Sequence, residues 1–414
     1  MTPPTPPGTA LPRPRPQTEA EPGEVGLDAA RLRLITDVLR ADVERGVLPG
    51  AVWGVARGGR LAWVEALGHQ GPAGTDASGS AVAPVAMRTD TVFRIYSMTK
   101  PIVSLAIMQL AESGRLLLTD PLSRWLPEFA GLQVAEERGA EVVFVPAERQ
   151  PTVQDLLRHT AGFTYEFLGA RHVHRRYQQA QIASLDRNNA EFCRTLATLP
   201  LAYQPGSCWE YSRATDVLGR LVEVASGLAL GDYLQAHVFA PLGLHDTAFV
   251  VPPESHERLA EPFATDPDSG EAVRLLNPRV AAPMQMGGGG LMSTFADYER
   301  FTRTLLAGGS WGGVRLIGRK SLALMTADHL GDIPIQGDLL LPGHGFGLGF
   351  AVRTAAGLSG VPGSVGTYHW SGIAGTFFFV DPQEELTAIL LTQAPGRRVY
   401  YRQLFRQMIY SALA

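Results

Sequence analysis

Apolar residues recur at a helical period early in the chain: Leu32, Ile35, Leu39 and Val43 fall on one side of a segment that ends near Gly46. Asp28 stands where an N-cap belongs. The period then changes. Val52, Trp53, Val55, Leu61, Trp63 and Val64 sit in two sheet-like runs, 50–58 and 61–67, separated by Gly58-Gly59-Arg60, which predicts a strand hairpin. A short strand is expected over Thr91–Ile95, followed by a strongly apolar helix carrying Ile102, Leu105, Ile107, Met108 and Leu110. Helical patterns dominate from about 97 to 285, among them 153–158, 190–199 and 213–226. Strand patterns return at Gly375–Val380 and Leu386–Leu391, flanking the turn 381–385, and a last amphipathic helix covers about 398–412.

Strands at both ends with helices between them predict an α+β fold: a three-layer α/β/α arrangement whose antiparallel sheet is built from both chain ends and flanked by helices, with a mainly helical domain inserted. The expected division is a disordered, proline-rich tail over 1–24, a sheet domain from 25–95 plus 290–414, and a helical domain over 96–289, with the active site at their junction.

At 414 residues, 45% hydrophobic and 18% charged, the chain can bury a substantial core. A formal net charge of −4, with no basic run interleaved with aromatics, points away from nucleic acid. The two cysteines, Cys193 and Cys208, have no zinc-like spacing and read as reduced thiols, so neither a metal nor another cofactor is expected. The N-terminal stretch lacks the apolar centre of a secretory signal, and no run approaches the roughly 20 apolar residues of a membrane span. The chain is therefore expected to be a soluble, cytoplasmic protein with a small-molecule partner and no membrane partner.

Chemistry concentrates at Ser97-Met98-Thr99-Lys100, in a chain with one other lysine, Lys320. Residues three apart share a helix face, so the Lys100 amine can lie beside Ser97 Oγ and take its proton, as a serine nucleophile requires. Pro101 suits a first helical turn, which places Ser97 near a helix N-terminus whose free N–H groups favour a developing oxyanion. A second candidate, Gly308-Gly309-Ser310-Trp311-Gly312, has the Gly-x-Ser-x-Gly form, but a helical run precedes Ser310 where a nucleophile elbow needs a strand.

The stretches FRIYSMTKPI (93–102), LLLTDPLSRWLPEF (116–129), TVQDLLRHTAGF (152–163), QPGSCWEYSRATDVLGRLVEVASG (204–227), GGGGLMSTFADYERF (287–301) and HWSGIAGTFFFVDP (369–382) are the landmarks of a family. Over about 28–412 the chain resembles the serine hydrolases of the class C β-lactamase and penicillin-binding-protein superfamily, and within it the family VIII carboxylesterases. The resemblance implies Ser97 as nucleophile, Lys100 as base and Tyr211 as the third member of the proton relay. It also implies an oxyanion hole from the backbone N–H groups of Ser97 and Ile373.

Two positions depart from the lactamase pattern. Arg213 stands where those enzymes have an asparagine, and is expected to point to solvent. Trp370-Ser371-Gly372 replaces Lys-Thr-Gly, so an indole takes the place of an ammonium and favours a neutral substrate over a carboxylate. Tyr96 and Phe163 are expected to join Trp370, Ser371 and Gly372 around the substrate, and the stretch Phe163–Phe167 to line the pocket. His159 is read as a hydrogen-bonded scaffold residue and His172 and His174 as residues of a solvated loop. Met284, Met286 and Gly287–Gly290 are read either as a flexible border of the acyl pocket or as a close backbone crossing. The resulting expectation is a serine hydrolase of short-chain or aromatic esters. A β-lactamase or D-alanyl-D-alanine peptidase, a transesterase, or a catalytically silent binding protein on the same scaffold are its alternatives.

Overall fold

Residues 50–71 fold back on themselves because Gly58 and Gly59 adopt φ of 58° and 72°, the left-handed pair that a two-residue hairpin turn needs. The computed structural model describes residues 16–72, 74–75, 81–139 and 141–414. Strand β1 (Gly50–Arg57) pairs with β2 (Arg60–Gly71), bringing Arg57 opposite Arg60, and β2 pairs with β3 (Val85–Ala86). Five C-terminal strands complete the sheet: β4 (His344–Phe346), β5 (Ala351–Arg353), β6 (Tyr368–Ser371), β7 (Phe377–Asp381) and β8 (Leu386–Thr392). Among the described residues the main sheet has eight strands in the order β4-β5-β6-β7-β8-β1-β2-β3, with every pairing antiparallel. The two ends of the chain meet at β1 and β8, where Ala51 faces Thr392 and Arg57 faces Leu386.

Alternation sends the side chains of each strand to two different cores. Phe377, Phe379, Ala388 and Leu390 join Trp53 and Val55 beneath helix α1 (Ala29–Glu44) and the C-terminal helix, Arg398–Ser411, which contribute Leu32, Ile35, Phe405 and Ile409. Phe378, Val380, Ile389 and Leu391 face the other way, against Phe295, Tyr298 and Phe301 of the helix Phe295–Leu306 and against the central helices. Helices thus cover both faces, which is why these strands read as nearly continuous apolar runs. The Asp28 side chain caps α1, accepting from Ala30 N at 2.7 Å and Arg31 N at 3.2 Å.

Three expectations change. Of the expected tail, residues 1–15 lie outside the described residues, but 16–24 are not a loose end. Glu19 N donates to Leu61 O at 2.7 Å, and Arg303, a buried guanidinium already beside Glu299, holds Glu19 through Nη1 at 2.7 Å. A buried arginine recruits carboxylates irrespective of the surrounding prolines. The strand over 91–95 shrinks to Phe93–Arg94, paired with Met292–Ser293, because the Val92 backbone turns to another segment, its N–H donating to Arg258 O and its carbonyl accepting from Ala260 N, both at 2.8 Å. Finally, the segment dominated by helical patterns also contains a hairpin, Gln133–Arg138 with Glu141–Pro146. Among the described residues no helix is long and apolar enough to cross a membrane.

Candidate active site

Helix α2 (Thr99–Glu112) runs through the interior, with Ile102, Val103, Leu105, Ile107 and Leu110 all buried, so its N-terminus is fixed from every side. Ser97 lies just before it, in a single 3₁₀ turn over Tyr96–Met98. Tyr96 enters that turn with φ of 45°, a conformation that costs energy for a residue with a Cβ and that recurs at functional sites. Lys100, on the first turn of α2, is 1% exposed. Its Nζ lies 3.3 Å from Ser97 Oγ, 3.1 Å from the Tyr165 hydroxyl and 2.6 Å from Gly288 O. Those three oxygens hold the Lys100 nitrogen in place beside the serine.

Tyr211 arrives from a distant segment, just ahead of helix α3 (Ala214–Ser226), and its hydroxyl donates to Ser97 Oγ at 2.7 Å. Aromatic neighbours fix the ring: centroids of His159, Tyr165 and Trp370 lie 5.0, 5.1 and 5.3 Å away. His159 is fully buried, with Nδ1 3.0 Å from Ser212 Oγ, and burial together with nearby Lys100 holds its imidazole well below the usual histidine range. It is a neutral scaffold group.

Strand β6 delivers the remaining wall. Trp370, 6% exposed, packs against Phe346 at 5.3 Å, edge to face, while Ser371 ends the strand opposite Phe377. A Cβ at Gly372 would collide with Ile95 O and Thr376 Oγ1, so only glycine lets the strand end lie flush against the turn that carries Ser97. Ile373 follows, its side chain 44% exposed.

The chain matches the family model described as Beta-lactamase over residues 35–411. The chain belongs to the beta-lactamase family. Within this family it is similar to Esterase EstB of Burkholderia gladioli, 35% identical over 393 residues that cover 90% of this chain and 93% of the relative. It is also similar to Lovastatin esterase of Penicillium rubens, 33% identical over 227 residues, covering 53% and 56% of the two chains. Among solved structures, EstCE1, described as a hydrolase with promiscuous acyltransferase activity, superimposes with a TM-score of 0.75 at 28% identity, over 92% of this chain and 98% of its own. The beta-lactamase-family chain is accordingly a serine hydrolase.

Not every expected residue lies where the sequence suggested. Phe163 is 1% exposed and packs edge-on against Phe129, so it supports the site from the core instead of lining a pocket. Of the same stretch, Phe167 is the exposed member, stacked on Tyr165 at 4.9 Å. The Tyr96 hydroxyl accepts from Leu276 N at 2.9 Å. Arg213 does not point to solvent. It is 5% exposed and donates to Glu166 Oε1 at 2.7 Å, because the start of α3 faces the loop after Phe163. Nor do His172 and His174 sit on a loop: both belong to the helix His172–Gln179, and His174 is buried 3.6 Å from Glu210. Ser310 lies in a two-stranded turn with Arg315, after a helix and without the strand an elbow requires.

Sequence reasoning missed Tyr165, Glu166 and Asp216. Tyr165 had one available signal, its place in the stretch after the third landmark. The glycines at 287–290 prove to be a close crossing: a Cβ on Gly288 would meet the Asp216 carboxylate, and the bare backbone lets Gly288 N donate to Asp216 Oδ1 at 2.7 Å while its carbonyl holds Lys100.

Proposed function

We propose that this serine hydrolase cleaves carboxylic esters through an acyl-enzyme, in the manner of the family VIII carboxylesterases, with Ser97 as nucleophile. Attack of Ser97 Oγ on the ester carbonyl forms the C–O bond as its proton passes to the Lys100 amine, which becomes an ammonium with an oxygen partner for each N–H. The N–H groups of Ser97 and Ile373 receive the oxyanion. Collapse breaks the bond to the alcohol, which leaves with a proton from Tyr211, and Lys100 restores that proton. Water then attacks the acyl group by the same relay in reverse.

The observation that carries this reading is the convergence of Tyr211 Oη at 2.7 Å and Lys100 Nζ at 3.3 Å on one serine hydroxyl. Trp370 favours esters over carboxylate-bearing lactams, since it presents an indole where a lactam-binding site needs a cation. With Ser371, Gly372 and Tyr96 it would border the substrate, and the expected preference is for short-chain or aromatic acyl groups. The site then lies at the junction of a sheet domain (25–95 plus 290–414) and a helical domain (96–289). Similarity to esterases supports the same assignment. Transfer of the acyl group to an alcohol is a second reading, favoured by the likeness to EstCE1.

Nitrophenyl esters of graded acyl length, assayed beside nitrocefin, test the proposal. Ester turnover far above nitrocefin turnover is expected. Nitrocefin turnover equal to ester turnover would reverse the assignment, and no turnover of any ester would remove it.

A further inference from the structure

Beneath the proposed relay lies a set of charges that the chemistry above does not use. Arg213 donates to Glu166 through Nη2 at 2.7 Å and Nε at 3.3 Å, and its Nη1 lies 3.5 Å from Asp216 Oδ2. The side chains of Arg213, Glu166 and Asp216 are 6%, 15% and 0% exposed. Each carboxylate is one step from a partner of Lys100. Asp216 accepts from Gly288 N, whose carbonyl accepts from Lys100, and Glu166 directly follows Tyr165, whose hydroxyl accepts from Lys100. The guanidinium itself lies 4.7 Å from the Tyr165 ring centroid. Arg213 is therefore buried and paired with protein carboxylates.

Given the roles proposed above for Ser97, Lys100 and Tyr211, we infer that Arg213 is the positioning and charge-balancing residue of the relay. It holds Tyr165 beneath the Lys100 amine, and its positive charge offsets Glu166 and Asp216 around the amine that receives the serine proton. The physical basis is the sign of the local field. The groups facing Lys100 are Ser97, Tyr165, Tyr211, His159 and Gly288 O; among the formal charges around the relay, Arg402 donates to Gly372 O and is the same in every variant below, and the others are Arg213, Glu166 and Asp216. These three leave one net negative charge. Removing Arg213 leaves two, and buried carboxylates favour the ammonium form of a neighbouring amine. An asparagine at this position, as in the lactamases, could not supply that positive charge.

The test is the pH dependence of kcat/KM for a nitrophenyl ester in the full chain, which reports the free enzyme's proton acceptor. Arg213→Gln should move the rising limb upward on the order of one pH unit, which is about tenfold in rate at a fixed pH on that limb, with activity regained at higher pH. Glu166→Gln, which removes one negative charge and leaves Arg213 beside Asp216, should move the limb downward. The double variant restores the original local charge and should bring the limb back toward the parent, as should Arg213→Lys. Thermal melts establish that each variant is folded.

If Arg213→Gln is too unstable to assay, the opposite shift in Glu166→Gln still decides the matter. A limb that stays in place in folded Glu166→Gln, or a double variant displaced as far as Arg213→Gln alone, would overturn the inference. Ser97→Ala, run alongside, separates the two levels. Activity surviving in it would overturn the relay itself, whereas unmoved limbs with an inactive Ser97→Ala would overturn only the role of Arg213.

Discussion

The hydroxyl of Tyr211 donates to Ser97 Oγ at 2.7 Å across 114 residues of sequence. Neither residue determines that distance alone. Ser97 is fixed by the turn that feeds the buried helix α2, and Tyr211 by rings packed on several sides, His159 and Trp370 among them. The phenol is thus held by packing, and the hydrogen bond is its consequence.

Tyr211→Phe separates the two contributions. The ring stays, so the melting temperature should change little, while removal of the hydroxyl proposed to carry the proton should lower kcat for a nitrophenyl ester by about 10²- to 10⁴-fold. Unchanged kcat in the folded variant would remove Tyr211 from the relay.

Trp370→Lys places an ammonium where lactam-hydrolysing relatives carry one. The ratio of ester to nitrocefin turnover should fall on the order of tenfold or more, chiefly through loss of ester turnover, since the indole wall is gone. A ratio that does not move would show that Trp370 has no part in substrate choice.

Asp155 supplies a pH signature unrelated to catalysis. It accepts from Thr152 N at 2.9 Å in a capping box and pairs with Arg149 at 2.6 Å and Arg158 at 3.0 Å. Burial alone would raise its pKa, but the hydrogen bonds from Arg149, Thr152 and Arg158 outweigh burial and bring it down to about 2. A depressed folded-state pKa contributes stability that is present above the unfolded value near 3.8 and lost as pH falls toward 2. The stability gap between the parent and Asp155→Asn should therefore shrink by about 2 kcal/mol between pH 5 and pH 2. Urea melts at several pH values measure it, and a constant gap would contradict the assignment.

Much of this was legible in the sequence because it depends on local rules. The Gly58-Gly59 turn, the Asp28 cap and the apolar runs of β7 and β8 each follow from neighbouring residues, and Ser97 and Lys100 are one turn apart by construction. What escaped was set by long-range packing. Arg213 reads as a surface residue at a helix start until Glu166 is brought against it, and Phe163 reads as a pocket residue until Phe129 is found across from it. Residues 16–24 looked unstructured because composition does not reveal that Arg303, almost 300 residues away, lies buried and in reach of Glu19.

Ser310 offers a control. Its Gly-x-Ser-x-Gly setting is a two-residue strand, Ser310–Trp311, that leaves a helix-ending turn and pairs back with Val314–Arg315, so Ser310→Ala should retain parental ester turnover and labelling by a fluorophosphonate. Loss of labelling in a folded variant would reopen the choice of nucleophile.

The most direct measurement is the site of covalent modification. The protein treated with a fluorophosphonate, or trapped with a slowly released ester, is digested and its peptides are sequenced by mass spectrometry, beside Ser97→Ala. The account expects one adduct, on Ser97, absent from the variant, with ester turnover reduced by roughly 10⁴-fold or more. An adduct on another residue, or a Ser97→Ala protein that still turns over esters at the parental rate, would contradict it.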